Sequence, residues 1–220
     1  IAEIMEKEFG IPTRVDNDVR CAALGELNYG AGQGCDNLIC ITVGTGIGSG
    51  LVINGKLVRG ASNAAGEIGH IKLDMNGGPL CGCGDRGCLE AFASGPSIVA
   101  MAEEYIKGGK STKYRELANP DITPYIVSEA AKQGDPVAKR IFTIVGEYIG
   151  IGLASVVNLL NPEKIIIGGG VAAAGDLLLT PIKESLIKRA MPIAGSAVEI
   201  VPAQLGNSAG VIGASLLINS

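Results

Sequence analysis

The stretch HIKLDMNGGPLCGCGDRGC, residues 70–88, contains the only histidine of the 220-residue chain and three of its six cysteines. One imidazole and three thiolates can hold a tetrahedral zinc ion, and four protein ligands leave no coordination position for water. Glycines between the cysteines let the chain turn tightly enough for the sulfurs to converge. The sequence therefore predicts a structural zinc site. Its ligands would be His70, Cys81, Cys83 and Cys88.

Two carboxylates lie beside this predicted zinc site. Glu67 comes three residues before His70, and Glu90 comes two residues after Cys88. A metal that fixes the surrounding chain also fixes these carboxylates, so the segment can shape a polar pocket. The alternative is that the cysteines are buried thiols and the histidine is hydrogen-bonded in the core. That alternative leaves the clustering of the only histidine with three thiols unexplained.

Composition and charge exclude several classes of protein. The chain is 47% hydrophobic, carries a net charge of -4 and has no run of lysines or arginines, so we expect a globular protein without a nucleic-acid surface or an anionic-membrane surface. The longest apolar stretch, residues 149–160, is too short to span a bilayer and predicts a buried helix face. Six cysteines without a secretory signal predict reduced thiols and a cytoplasmic location.

The order of predicted elements indicates an α/β fold with much parallel pairing. Strands and helices alternate along the chain, and Asn54-Gly55 marks a hairpin turn. The predicted strands lie at 11–15, in a three-stranded meander over 38–59, and at 164–167 and 198–201. The predicted helices lie at 1–9, at 19–29, from 94 to 108, at 123–133, at 136–160, from 175 and after 206.

Two glycine-rich turns could approach a nucleotide. Gly44-Thr45-Gly46 joins two predicted strands, where backbone N–H groups and a hydroxyl can bind phosphate, although such a segment is as often a simple turn. Gly168-Gly169-Gly170 follows a buried strand and precedes a helix, which suits either a nucleotide or a tight βα turn.

Asp16-Asn17-Asp18 lies at a predicted strand-to-helix junction, a position where ligand sites of α/β sheets form. One of these aspartates could be a general base. Acidic residues at helix starts are also common N-caps, and this segment taken alone favours the cap.

Taken together, these motifs resemble those of the ROK family of repressors and sugar kinases. The order and spacing agree over nearly the whole chain, and the combination of Gly-Glu-Ile-Gly-His with the cysteine motif is highly specific. The matching segments are 16–18 with 22–26, 44–48, 66–70, 81–90 and 167–170.

The resemblance implies an actin-like, ribonuclease H-like sugar kinase fold with two lobes around a cleft. It implies that Asp18 deprotonates the sugar hydroxyl and that ATP binds with Mg²⁺. The residues implied to bind the sugar are Asn17, Glu67, His70 and Glu90, with His70 also a zinc ligand. Those implied to lie near the nucleotide are Gly44, Thr45, Gly46, Gly169 and Gly170.

The chain departs from the family pattern in two respects. Asp16 stands where glutamate is frequent, and Val19-Arg20 replaces smaller or amide residues. The family's first phosphate loop, an aspartate-glycine-glycine-threonine segment, does not occur here, so we expect the C-terminal part of a longer protein and do not predict turnover by this chain alone. We expect residues 1–34 to belong to the small lobe, rejoined by the helix 206–220, and residues 35–205 to form the large lobe with the zinc motif.

Two function classes agree with the resemblance. The first is a glucokinase that transfers the γ-phosphoryl group of ATP to the 6-hydroxyl of glucose or acts on a related hexose, in a homo-oligomer. The second is a sugar-responsive repressor with an upstream helix-turn-helix domain. The kinase is favoured because Asp18 and the turn at 44–46 are both intact. A zinc scaffold without a ligand would not explain the neighbouring carboxylates.

Overall fold

The computed structural model describes residues 1–118 and 121–219, which form an α/β fold around one mixed sheet. The strand order is β3-β2-β1-β4-β5. β1 pairs antiparallel with β2 and parallel with β4, while β2/β3 is antiparallel and β4/β5 is parallel. The strands are β1 Leu38–Val43, β2 Ile47–Ile53, β3 Lys56–Leu57, β4 Lys164–Gly168 and β5 Glu199–Pro202. The predicted meander and both later strands are confirmed.

The helices agree with the predicted order and add short ones that the sequence did not indicate. The α-helices are α1 Ala2–Phe9, α2 Asp18–Tyr29, α3 Leu89–Ala93, α4 Gly95–Lys107, α5 Lys113–Leu117, α6 Pro124–Lys132, α7 Pro136–Leu160, α8 Asp176–Arg189, α9 Pro192–Ala197 and α10 Ala209–Leu216. Short 3₁₀ turns cover Ile68–His70, Gly170–Ala174, Gly206–Ser208 and Leu217–Asn219.

The sheet is covered on both faces, which explains the continuous apolar character of its central strands. Successive side chains of a strand point to opposite faces. Ile39 and Ile41 therefore join the large core with α7 and α8, whereas Leu38 and Cys40 join a smaller cluster with α2. The sheet thus holds α2, and the residues at its start, in a fixed place.

Helix α7 is the longest helix and the centre of the large core. Asp135 caps it by accepting hydrogen bonds from the N–H groups of Val137 and Ala138, and twelve of its 25 residues are buried. By length and composition it could cross a membrane. This is weak evidence, because a buried core helix of a soluble protein passes the same test.

Helix α10 packs directly against α2, with almost no space between the two backbones. A Cβ atom on Gly213 would overlap the carbonyl oxygen of Cys21, and one on Gly25 would overlap that of Ala209. The buried Glu26 of α2 also accepts hydrogen bonds from the N–H groups of Gln204 and Leu205, just before α10. Helix α10 is therefore joined to α2, while the division into two lobes stays a prediction.

The strand predicted at 11–15 is wrong. These residues have no regular secondary structure, and the N–H of Thr13 bonds to the Glu6 carboxylate instead of to a neighbouring strand. A β-strand needs a partner for its backbone groups. Among the described residues, no strand pairs with this segment. The apolar side chains of α1, such as Ile4 and Phe9, are exposed.

Candidate functional site

The four predicted zinc ligands lie together. Their ligand atoms are all within 4.8 Å of one another. The sulfurs of Cys83 and Cys88 are 3.8 Å apart, and Nδ1 of His70 is 3.7 Å from the sulfur of Cys81. A tetrahedral zinc with bonds of about 2.3 Å to sulfur has ligand-to-ligand edges of roughly 3.8 Å. The donor set and its spacing therefore fit a zinc ion.

The chain around this cluster is shaped mainly by turns. Two isolated bridges, Lys72 with Cys88 and Leu80 with Arg86, are its pairings. Gly87 has a positive φ of 75°, and a Cβ there would overlap the carbonyl oxygen of Asp74. Only glycine fits such a position, so this residue lets the last cysteine turn back toward the first two.

Nearby charges and burial act on the thiols of the cluster. The Lys72 ammonium lies 3.1 Å from the sulfur of Cys88 and 2.6 Å from Asp85. Burial raises the pKa of Cys81 to about 12. A hydrogen bond from the backbone of Asp85 lowers the pKa of Cys83. A metal ion would have to displace the proton of Cys81, and the Lys72 ammonium lies beside the sulfur of Cys88.

The imidazole of His70 has two different neighbours. Nδ1 faces the sulfur of Cys81, while Nε2 lies 4.0 Å from the carboxylate of Glu67. Metal binding through Nδ1 would fix the ring and leave Nε2 beside that carboxylate. This arrangement suits the two roles predicted for the histidine.

Glu90 connects the cluster of four predicted zinc ligands to the glycine turn at 44–46. Its Oε2 accepts a hydrogen bond from the N–H of Ile47 at 2.9 Å, and its Oε1 lies 3.6 Å from the sulfur of Cys81. A Cβ on Gly46 would overlap this carboxylate. Gly46 therefore makes room for Glu90, a role that its predicted place near phosphate did not include.

At the start of α2, the N-cap is Asn17 and not an aspartate. Its side-chain oxygen accepts hydrogen bonds from the N–H groups of Val19 and Arg20 at 2.9 and 3.2 Å. Asp18 is the first helical residue, and it lines a cavity of about 720 Å³. The Asn17 amide thus satisfies the cap hypothesis for this segment. Asp18 lines the cavity, and its Oδ1 accepts a hydrogen bond from the N–H of Val19 at 2.9 Å.

Two cavities bring together most of the predicted nucleotide residues. The first, the Asp18 cavity, is also lined by Gly169 and Gly170. The second, of about 750 Å³, is lined by Gly44, Thr45 and Gly170, with side chains from the start of α4 and α6. Gly170 lines both, so the two cavities adjoin. Glu67, His70 and Glu90 line neither of these two cavities. His70 is one of the four clustered ligands, and the two glutamates lie beside that cluster.

The ion pairs of Asp16 were not predicted from the sequence. Its buried carboxylate binds Arg20 and Arg59 at 2.5 and 2.7 Å. Burial raises the pKa of Asp16, but hydrogen bonds from the Asn17 backbone, Arg59 and Arg20 outweigh it and hold the pKa below its usual value. The spacing of Asp16 and Arg20, four residues apart, was the available signal.

The chain is similar to known proteins over nearly its whole length. The ROK family description matches residues 1–220. The chain is 43% identical over 219 residues to a glucokinase of Halalkalibacterium halodurans, covering 97% of this chain and 66% of that protein. It is 34% identical to a xylose repressor of Caldicellulosiruptor bescii, covering 100% of this chain and 55% of the repressor. The chain thus spans about two thirds or less of these relatives.

Solved structures agree with the sequence matches. A crystal structure of a ROK family glucokinase from Streptomyces griseus in complex with glucose and AMPPNP has a TM-score of 0.87 and 38% identity, covering 100% of this chain and 72% of that one. A ROK family transcriptional regulator, a homologue of the E. coli MLC protein, has a TM-score of 0.90 and 32% identity, covering 99% and 54%. By motif, match and fold, the chain belongs to the ROK family, with its actin-like α/β fold.

Proposed function

We propose that the whole protein is an ATP-dependent hexose kinase that phosphorylates the 6-hydroxyl of glucose. The observation that carries this proposal is that Asn17 and Asp18 have different places at the start of α2. Asn17 provides the cap, and Asp18 is left on the wall of a cavity that it shares with Gly169 and Gly170. A carboxylate on a cavity wall next to a nucleotide-type glycine turn suits a general base for phosphoryl transfer.

The proposed roles are those that the family resemblance implies. Asp18 takes the proton of the attacking hydroxyl. Asn17, Glu67, His70 and Glu90 bind the other sugar hydroxyls. Zinc at His70 and the three cysteines is structural, because four protein ligands fill a tetrahedral shell. The nucleotide brings Mg²⁺, which neutralises charge on the phosphates beside Gly44, Thr45 and Gly46.

The relatives support a kinase and keep one alternative open. Glucokinases at 36–43% identity include those of Streptomyces coelicolor and Thermotoga maritima. The match to xylose repressors over the whole chain supports a second candidate, a sugar-responsive repressor that would use the same pocket as a sensor. The intact Asp18 favours the kinase, because sensing a sugar needs no proton acceptor.

The test uses the full-length protein with Asp18→Asn. Asparagine keeps the shape and loses the basicity, so we expect phosphorylation to fall by about 10² to 10⁴ while glucose and zinc stay bound. The matched control is Asp176→Asn, also at a helix start but outside both cavities. A variant within a few-fold of wild type would remove Asp18 as the base. A wild type that binds sugar without phosphorylating it, and binds DNA, would favour the repressor.

We also propose a homo-oligomer in the cytoplasm, with no direct contact between this region and nucleic acid or membrane. Sedimentation of the full-length protein, DNA binding and fractionation of cells test these three points. A monomer, or binding of DNA by residues 1–220 alone, would contradict them.

A further inference from the structure

Asp16 lies at the centre of a buried cluster of charges. Its side chain is 3% exposed. Oδ1 accepts hydrogen bonds from the N–H of Asn17 at 2.8 Å and from Nε of Arg20 at 2.5 Å, and Oδ2 accepts one from Nε of Arg59 at 2.7 Å. Both oxygens are therefore occupied by donors from two separate parts of the chain. Such a fully bonded carboxylate has one orientation.

The two arginines extend the cluster to a second segment. Arg20 also donates from Nη1 to the carbonyl oxygen of Asn63 at 2.8 Å, and Arg59 begins the stretch 59–66 that leads into Glu67. Residues 60–64 are exposed and contribute nothing to the apolar clusters. Hydrogen bonds from Arg20 and Arg59 thus hold this stretch in place, whereas apolar burial holds other segments.

A purely structural role is the competing explanation, and the chain contains a matched example of one. Asp135 is likewise buried, caps α7 through Val137 and Ala138, and accepts a further hydrogen bond from the N–H of Lys113. It fastens a helix start to a distant segment, as Asp16 does. Asp135 lines neither of the two cavities.

We propose that Asp16 is a positioning residue that holds Asn17 and Asp18 in register with the stretch 59–66 and hence with Glu67. The inference rests on the proposed hexose site. Asp16 and Asn17 share a direct hydrogen bond, and Arg20 and Arg59 join the same carboxylate to the other side of the site. Loss of the carboxylate removes the charged group that Arg20 and Arg59 share, so the two sides of the site can shift relative to each other.

The experiment compares full-length wild type, Asp16→Asn, Asp16→Glu and Asp135→Asn. Hexose affinity is measured by calorimetry, turnover by a coupled assay, and local order by hydrogen exchange of peptides covering residues 59–69. We expect Asp16→Asn to weaken glucose binding about tenfold, the scale of a lost charged hydrogen bond, and to speed exchange in 59–69. Asp16→Glu keeps both oxygens and should recover most of the affinity. Asp135→Asn should lower the melting temperature with glucose affinity unchanged.

Other results would overturn the inference. If Asp16→Asn binds glucose as wild type does, or if affinity falls with melting temperature equally in Asp16→Asn and Asp135→Asn, the carboxylate acts only on stability. If Asp16→Asn does not fold, the variant Arg59→Gln is used instead. It removes one of the two ion pairs of Asp16 at a half-exposed side chain. Unchanged exchange and affinity in Arg59→Gln would then overturn the proposal. Binding and exchange need no turnover, so a wild type that fails to phosphorylate contradicts the kinase proposal alone.

Discussion

Residues 70–88 and helix α7 are neighbours that acquire their order in different ways. Helix α7 buries twelve residues in the large core and is capped by Asp135. Residues 70–88 form two isolated bridges and part of a 3₁₀ turn, and their converging groups are one imidazole and three thiols. The two meet at Leu89, which follows the last cysteine and packs so closely on α7 that a Cβ on Gly152 would lie 2.7 Å from it.

The two regions are predicted by different kinds of sequence signal. Apolar periodicity predicts a helix because burial stabilises it wherever a core is available. A ligand set predicts a local fold that is complete only with its ligand, because the unpaired thiols contribute little by themselves. We therefore expect the two regions to fail separately when they are perturbed. Two experiments test this, and a third tests the carboxylates beside residues 70–88.

The largest effect should come from Cys83→Ser in the full-length protein. Loss of one of four ligands should abolish stoichiometric zinc and make hexose binding undetectable, since His70 and Glu90 lose their anchor. Helix content measured by far-ultraviolet circular dichroism should stay near wild type, because α7 does not depend on the metal. Elemental analysis and calorimetry are the measurements. A zinc-free variant with normal hexose affinity would show that the cluster does not shape the pocket.

A packing change in α7 should produce the opposite pattern. Leu153 is fully buried in the large core, and Leu153→Ala should lower the free energy of unfolding by about 2–5 kcal/mol through lost burial and a residual cavity. Zinc stoichiometry of the folded protein should be unchanged. Chemical denaturation and metal analysis together check this. Zinc loss from the folded variant would mean that the two regions share one source of stability.

The smallest effect concerns the carboxylates beside the cluster. Glu67→Gln and Glu90→Gln should each weaken hexose binding by roughly 1 kcal/mol, because a carboxylate is the stronger acceptor for hydroxyls. ATP binding should change less. Of the two, Glu90→Gln also weakens the contact with the N–H of Ile47, so it should affect the nucleotide side more than Glu67→Gln does. Unchanged hexose affinity in both variants, measured by calorimetry, would place the pocket elsewhere.

The sequence predicted those features that depend on local pattern or unusual composition. The central strands and α7 follow from apolar runs, and the convergence of one imidazole and three thiols follows from a single histidine near three cysteines. The strand at 11–15 was wrong because β-propensity cannot supply a pairing partner. The Asp16 cluster was missed because Arg59 is 43 residues away in sequence, and no local rule connects them.

The close contact of α2 and α10 at Gly25 and Gly213 limits which substitutions the family can accept there. The atoms that exclude a side chain at position 213 are backbone atoms of Cys21, and no second substitution can shrink a backbone. Gly213→Ala could be rescued only if α2 and α10 moved apart. Asp18 is the first residue of α2 and would move with that helix. Suppressor selections on Gly213→Ala should therefore return the original glycine. Gly25 and Gly213 should change slowly in evolution even though neither has a catalytic role.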